Sequence, residues 1–148
     1  EQARSTMEMV GSVTAKDTDA DGDVDQIILT VANALEGEAI DLTTTTDADS
    51  DGLLSDEAVK THVMIVTYLD KNQRVEDIAW TKTQVGRGDS DNLLEPGEKM
   101  ELTISLTAVS PVLAAYGTFT LELKPDKGST ITVQRTMPAK VDTIVDLK

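Results

Sequence analysis

Cysteine is absent from the 148 residues, which removes disulfides, thiolate metal sites and thiol nucleophiles at once. Stability must then come from an ordinary core, and a chain of this size can bury about two-thirds of its unfolded surface around one. Aromatic residues make up 3% of the chain, too few to build the stacking platforms of a sugar-binding cleft. One histidine, His62, leaves little for imidazole chemistry, and in a strand-like segment it reads as structural or exposed rather than catalytic. Basic residues are scarce as well: 13 Lys and Arg stand against 27 Asp and Glu, a formal charge of -14. Nucleic acid and anionic membrane surfaces would repel such a chain, and cations would be drawn to it. No run approaches the roughly 18 apolar residues of a membrane span, and no signal peptide with a basic start is visible. Neither a G-x-S-x-G elbow nor a glycine-rich phosphate loop after a strand occurs. The expectation is a non-enzymatic protein. A start at Glu1 without an initiator Met points to a processed or trimmed product.

What the chain does have is alternation. Leu102, Ile104 and Leu106 alternate with Glu101, Thr103, Ser105 and Thr107; Phe119, Leu121 and Leu123 alternate with Thr118, Thr120, Glu122 and Lys124. Ile131 and Val133 do so among Thr130, Thr132 and Gln134. A period of two marks strands with one face to the core and one to water. Ile27 to Val31 and Val63 to Leu69 are apolar on both faces and rich in β-branched residues, so they are expected as central strands covered on both sides. Val10 to Ala15, Ile40 to Thr44, Val75 to Thr83, which holds Trp80, and Val141 to Leu147 complete the set, with Trp80 assigned to the core. The count, about eight or nine strands with Asp-Gly, Pro-Gly and Lys-Gly turns, predicts an all-β antiparallel sandwich over residues 10–148. Residues 1–9 read as a short helical stub, too short to hold alone.

Carboxylates concentrate in three loops. The first, residues 17–25, places Asp17, Asp19, Asp21, Asp23 and Asp25 at every second position around Gly22. The second repeats the D-x-D-x-D-G spacing with Asp47, Asp49, Asp51 and Gly52. Hard oxygen donors at alternate positions of a tight loop converge on one point, which is the arrangement that calcium coordination requires. Neither is an EF-hand, because the twelfth position is Ile28 in one and Ala58 in the other. In the third loop, Asp89, Asp91, Asn92 and Glu98 are candidates to meet around a cation. The competing reading of all three is a set of solvated turns, since Asp, Asn and Gly are ordinary turn residues.

The stretch from Lys124 to Pro138, with Pro125, Gly128-Ser129 and a strand leading to Arg135-Thr136-Met137-Pro138, resembles the C-terminal part of archaeal flagellins. Glu95-Pro96-Gly97-Glu98 before an alternating strand, Ile40-Asp41-Leu42-Thr43, and the Asp-Gly-Asp loop before Ile27 resemble other parts of that family in the same order. The resemblance implies an immunoglobulin-like β-sandwich facing outward from an extracellular motility filament, behind an N-terminal hydrophobic helix that packs at the filament centre. Glu1-Gln2-Ala3-Arg4-Ser5-Thr6 resembles the segment joining helix to sandwich, so the chain is expected to be the outer domain, without membrane contact of its own. It also implies a helical homo-oligomer, other flagellins as further partners, and metal binding by the outer domain in some members. Many members are N-glycosylated, but Asn33, Asn72 and Asn92 lie outside any Asn-x-Ser/Thr acceptor. Two rivals stand beside this reading: a calcium-dependent cell-surface adhesin or immunoglobulin-like module, and an accessory domain of an extracellular hydrolase. The acidity fits cation loading and adaptation to salty water equally.

Overall fold

In the computed structural model, residues 7–33, 39–86, 92–126 and 130–148 are described. They form eleven strands: β1 Met7–Lys16, β2 Gln26–Asn33, β3 Ile40–Asp41, β4 Ile65–Asp70, β5 Gln73–Val75, β6 Trp80–Val85, β7 Leu93–Leu94, β8 Lys99–Ser105, β9 Thr118–Lys124, β10 Ile131–Thr136 and β11 Ile144–Asp146. One sheet has the order β11-β1-β2-β8-β6, a second β10-β9-β4-β5, and β3 and β7 form a small ribbon. Every pairing between these strands is antiparallel.

The alternation seen in the sequence is what joins the layers. On β2 and β8 the register sets Ile27 beside Ile104, Leu29 beside Leu102 and Val31 beside Met100, and all six are buried. On the other sheet Val66 pairs with Leu123 and Tyr68 with Leu121, again all buried. Because side chains on neighbouring strands point the same way at paired positions, each sheet offers a continuous apolar face, and the two faces close into one core. Tyr68 and Phe119 stack within it, ring centres 6.3 Å apart, and Trp80 lies at its margin, 1% exposed.

Several expectations need correction. No helix occurs among the described residues. Of the predicted stub, Met7–Met9 extends β1, pairing with Val31–Asn33 of β2, so the sandwich starts at or before residue 7; residues 1–6 lie outside the described set. Ile27–Val31 and, from Ile65 onward, Val63–Leu69 are central strands but are not fully covered on both faces: Ile28, Thr30, Ile65 and Leu69 are half-buried and Val63 is exposed, although Thr67 is buried on that outer side. A two-layered fold has no third layer to cover them. The inward set after His62 is Met64, Val66 and Tyr68. The predicted strand Val75–Thr83 is broken between Val75 and Trp80, since β5 belongs to one sheet and β6 to the other. Asp77, at a φ of 57°, makes the crossing, with Leu54 N–H donating to its carbonyl and Ile78 N–H to that of Val66. The strand count exceeds eight or nine because Val75–Thr83 divides into β5 and β6 and because the two-residue β7 is too short to carry a periodic signal.

Candidate metal centres in the acidic loops

The first acidic loop is the β1–β2 connection and the second precedes β4, and they fold alike. Asp17 accepts hydrogen bonds from Asp21 N–H at 3.2 Å and Gly22 N–H at 2.7 Å; Asp47 accepts from Asp51 N–H at 3.2 Å and Gly52 N–H at 2.8 Å. Position four takes the left-handed conformation in both, Ala20 at 60° and Ser50 at 58°, as does the glycine at position six, 87° and 86°. The fifth aspartate then caps the seventh amide, Asp21 with Asp23 N–H and Asp51 with Leu53 N–H, each at 2.9 Å. Identical spacing thus yields identical local backbone, because each interaction spans at most five residues.

In the first loop one carboxylate oxygen each from Asp17, Asp19, Asp21 and Asp25 comes within 4.8 Å of the others. Asp17 is 2% exposed, whereas Asp19 and Asp21 reach solvent. Asp25 accepts from Thr18 N–H and Oγ1–H at 2.8 and 2.9 Å. Asp23 lies outside this group. In the second loop Asp47, Asp49 and Asp51 converge in the same way, and Asp49 also converges with Asp56 and Glu57. Glu57 is nearly buried and accepts from Ala48 N–H at 2.8 Å. These last two were not among the candidates from the sequence. Glu57 is the eleventh residue from Asp47, one short of the EF-hand position, so the signal was present but displaced.

Electrostatics differ within each cluster. Burial opposes charge on Asp17, but hydrogen bonds from Gly22, Asp19 and Asp21 outweigh it and hold the carboxyl below the ordinary range. Asp19, bonded side chain to side chain with Asp21 and further raised by burial and by its acidic neighbours, is pushed up to about 6. Asp23 rises through burial and the charges of Asp21, Asp17 and Asp25. In the second loop the Leu53 amide lowers Asp51, Asp51 in turn raises Asp56, and burial raises Asp49 and Glu57. Like charges have been brought together, and burial, shared hydrogen bonds and neighbouring charge favour the protonated form of several of them.

The third loop does not form such a cluster in its described part. Asp89 and Asp91 lie outside the described residues. Asn92 Oδ1 accepts from Lys82 Nζ at 2.7 Å, and Glu98 is turned inward, accepting from Glu95 N–H at 2.9 Å. Asn92 and Glu98 are thus both engaged by hydrogen bonds within the protein.

His62 is buried, not exposed. Thr45 Oγ1 accepts from the amides of Thr61 and His62 at 2.9 and 3.0 Å, so its own hydrogen donates to His62 Nδ1 at 2.7 Å. Nε2–H then donates to Asp77 at 2.7 Å. The ring ties the second acidic loop to the β5–β6 crossing, with its side chain 2% exposed. The sequence left His62 as structural or exposed rather than catalytic, and its two partners were out of reach because they lie 15 and 17 residues away.

Fold and loops together define a class: an acidic, immunoglobulin-like β-sandwich whose rim carries clustered oxygen donors. The chain belongs to the archaeal-type flagellin family, whose model matches residues 1–135. Among its relatives, a probable flagellin 1 of Archaeoglobus fulgidus is 28% identical over 99% of this chain and 72% of its own length. A probable flagellin 1 of Aeropyrum pernix is 29% identical over 97% of this chain and 72% of its own. In fold the chain is similar to the crystal structure of the flagellin FlaB1 from Methanocaldococcus jannaschii, with a TM-score of 0.72 at 12% identity, over 97% of this chain and 96% of that one. The archaeal flagellum of Methanospirillum hungatei gives a TM-score of 0.65 at 18% identity, over 97% of this chain and 71% of that one. The family is one of structural filament proteins, and this chain is accordingly a subunit of the extracellular archaeal flagellum. The adhesin and hydrolase-accessory readings give way to it.

Proposed function

We propose that this domain forms part of the outer surface of the filament and that its two D-x-D-x-D-G loops each hold a calcium ion. The observation that carries the cation reading is the convergence of four carboxylates in the first loop, with Asp19 raised to about 6. The donor set consists of carboxylate oxygens, which suits a hard divalent cation. Asp17, Asp19, Asp21 and Asp25 would hold it in one loop, and Asp47, Asp49 and Asp51, joined by Asp56 and Glu57, in the other. What a cation would supply there is neutralisation: it offsets the mutual repulsion of the clustered carboxylates and favours their ionised forms. Loops held in this way would keep a polyanionic surface stiff in the medium. Neighbouring copies in such a polymer meet through two different faces, since contacts that do not close generate open helices.

Calorimetric titration with calcium tests the cation reading. The expected result is exothermic or endothermic binding that Asp17→Asn and Asp47→Asn each reduce, with a melting temperature raised by calcium and lowered by chelator at fixed ionic strength. Absence of heat together with melting indifferent to chelator would remove calcium from the account and leave the acidic loops as solvated turns.

A further inference from the structure

We infer that the cleft beside Tyr116 and Val112 is a contact surface for a second copy of this chain, which rests on the filament reading above. Residues 102–121 contain no Asp, Glu, Lys or Arg, in a chain whose formal charge is -14. The middle of that stretch, residues 106–117, is the β8–β9 crossover, and it borders a cleft of about 550 Å³ lined by Leu69, Asn72, Val112, Tyr116, Thr120 and Gln134 among others. Two charged residues, Asp70 and Lys71, also line it, and they are opposite in sign. Asp70 is moreover engaged within the chain by Tyr68 Oη–H, Asn72 N–H and Gln73 Nε2–H at 2.8, 2.8 and 3.2 Å. Copies that repel one another overall can approach where no carboxylate has to lose its water, so a neutral patch on a polyanion fits a like-charged partner.

The side chains point the same way. Of the four aromatic residues, Trp80, Tyr68 and Phe119 are at most 1% exposed, while Tyr116 is 73% exposed and Val112 beside it 52%. Tyr116 also holds a φ of 64°, a left-handed backbone that a bulky side chain seldom adopts. An aromatic ring kept in water, on backbone that glycine would occupy more readily, gains this fold nothing evident. The crossover is nonetheless firmly set: Gln73 bonds both Ser110 N–H and the Pro111 carbonyl at 2.9 Å, Val24 N–H donates to Leu113 O at 2.8 Å, and Met137 N–H donates to Gly117 O at 2.8 Å. A surface already rigid loses little entropy when it docks.

The test uses the full-length subunit and its assembled filaments, comparing wild type with Tyr116→Gly and Val112→Asp. Expected are Tyr116→Gly subunits that melt at or above the wild-type temperature yet form at least tenfold less sedimentable filament, with Val112→Asp also failing to assemble. A photo-crosslinking amino acid at position 112 should join one subunit to another. Variants that assemble like wild type, or a crosslink found only to a different protein, would overturn the inference while leaving the filament reading intact. Wild-type subunits that form no filament would instead overturn both. Should Val112→Asp lower the melting temperature, Tyr116→Gly decides alone.

Discussion

Single residues show how tightly this surface is wired. His62 serves three segments through two hydrogen bonds and is shut from solvent, so His62→Ala should remove both bonds and leave a cavity, costing about 2–4 kcal/mol in chemical unfolding. His62→Gln, which keeps a donor and an acceptor, should recover part of that. Gly52 has a φ of 86°, and a Cβ there would stand 2.7 Å from Ala108 N and 2.9 Å from Thr107 Cβ. Gly52→Ala should therefore destabilise by about 1–3 kcal/mol through backbone strain and displacement of the 107–108 segment. The sign for Asp19 is opposite to that of a salt-bridged acid. Its folded value of about 6 lies above its ordinary 3.8, so the cation-free fold binds more protons than the unfolded chain across that interval. Stability from this group is full below 3.8 and is lost as pH rises through about 6. Chelated protein should accordingly melt lower at pH 7 than at pH 5, and Asp19→Asn should flatten that slope.

At the scale of elements, protection follows position in the sheets. β2 and β8 lie side by side within one sheet, and β9 and β4 are paired within the other, whereas β11 has three residues at an edge. Hydrogen exchange should be slowest in β2, β8 and β9 and fastest in β11 and the β3–β7 ribbon, because opening an edge exposes little core. Leu121 packs at the crossing of β9 with both β4 and β10 and is fully buried, so Leu121→Ala should cost about 2–5 kcal/mol. The same truncation at Ile144, 64% exposed on β11, should fall within about 0.5 kcal/mol of wild type. Paired measurement of the two by urea unfolding checks this ranking.

For the molecule as a whole, the net charge of -14 sets how stability responds to ions. A cation bound at a hundredfold excess over its dissociation constant contributes about 2.7 kcal/mol per site. Two loaded loops would therefore rival much of the net stability of an ordinary domain. Raising sodium chloride in the presence of chelator should restore part of the lost melting temperature by screening the acidic clusters, but less than calcium does, because screening does not replace ligation. Equal restoration by both would favour adaptation to salt over specific binding. Fold alone does not assign the role: the periplasmic stator protein FlaG of Sulfolobus acidocaldarius shares the architecture with a TM-score of 0.51 at 14% identity, over 88% of this chain and 98% of that one. It is the family match that separates filament subunit from stator.

The sequence by itself determined the features whose causes are local. Alternation at Leu102, Ile104, Phe119 and Leu121 named the inward faces correctly, since side chains on a strand must alternate. The D-x-D-x-D-G spacing determined two superposable turns, because each of their bonds closes within five residues. Where apolar residues stood at both odd and even positions, as in Val63 to Leu69, alternation offered no phase, and only packing showed that Met64, Val66 and Tyr68 face inward. Tertiary structure alone decided the break between Val75 and Trp80, the partners of His62, the addition of Asp56 and Glu57 to the second loop, and the exposure of Tyr116. Each of these depends on contacts between segments distant in the chain, and no pattern of neighbouring residues encodes a distance that folding has yet to create.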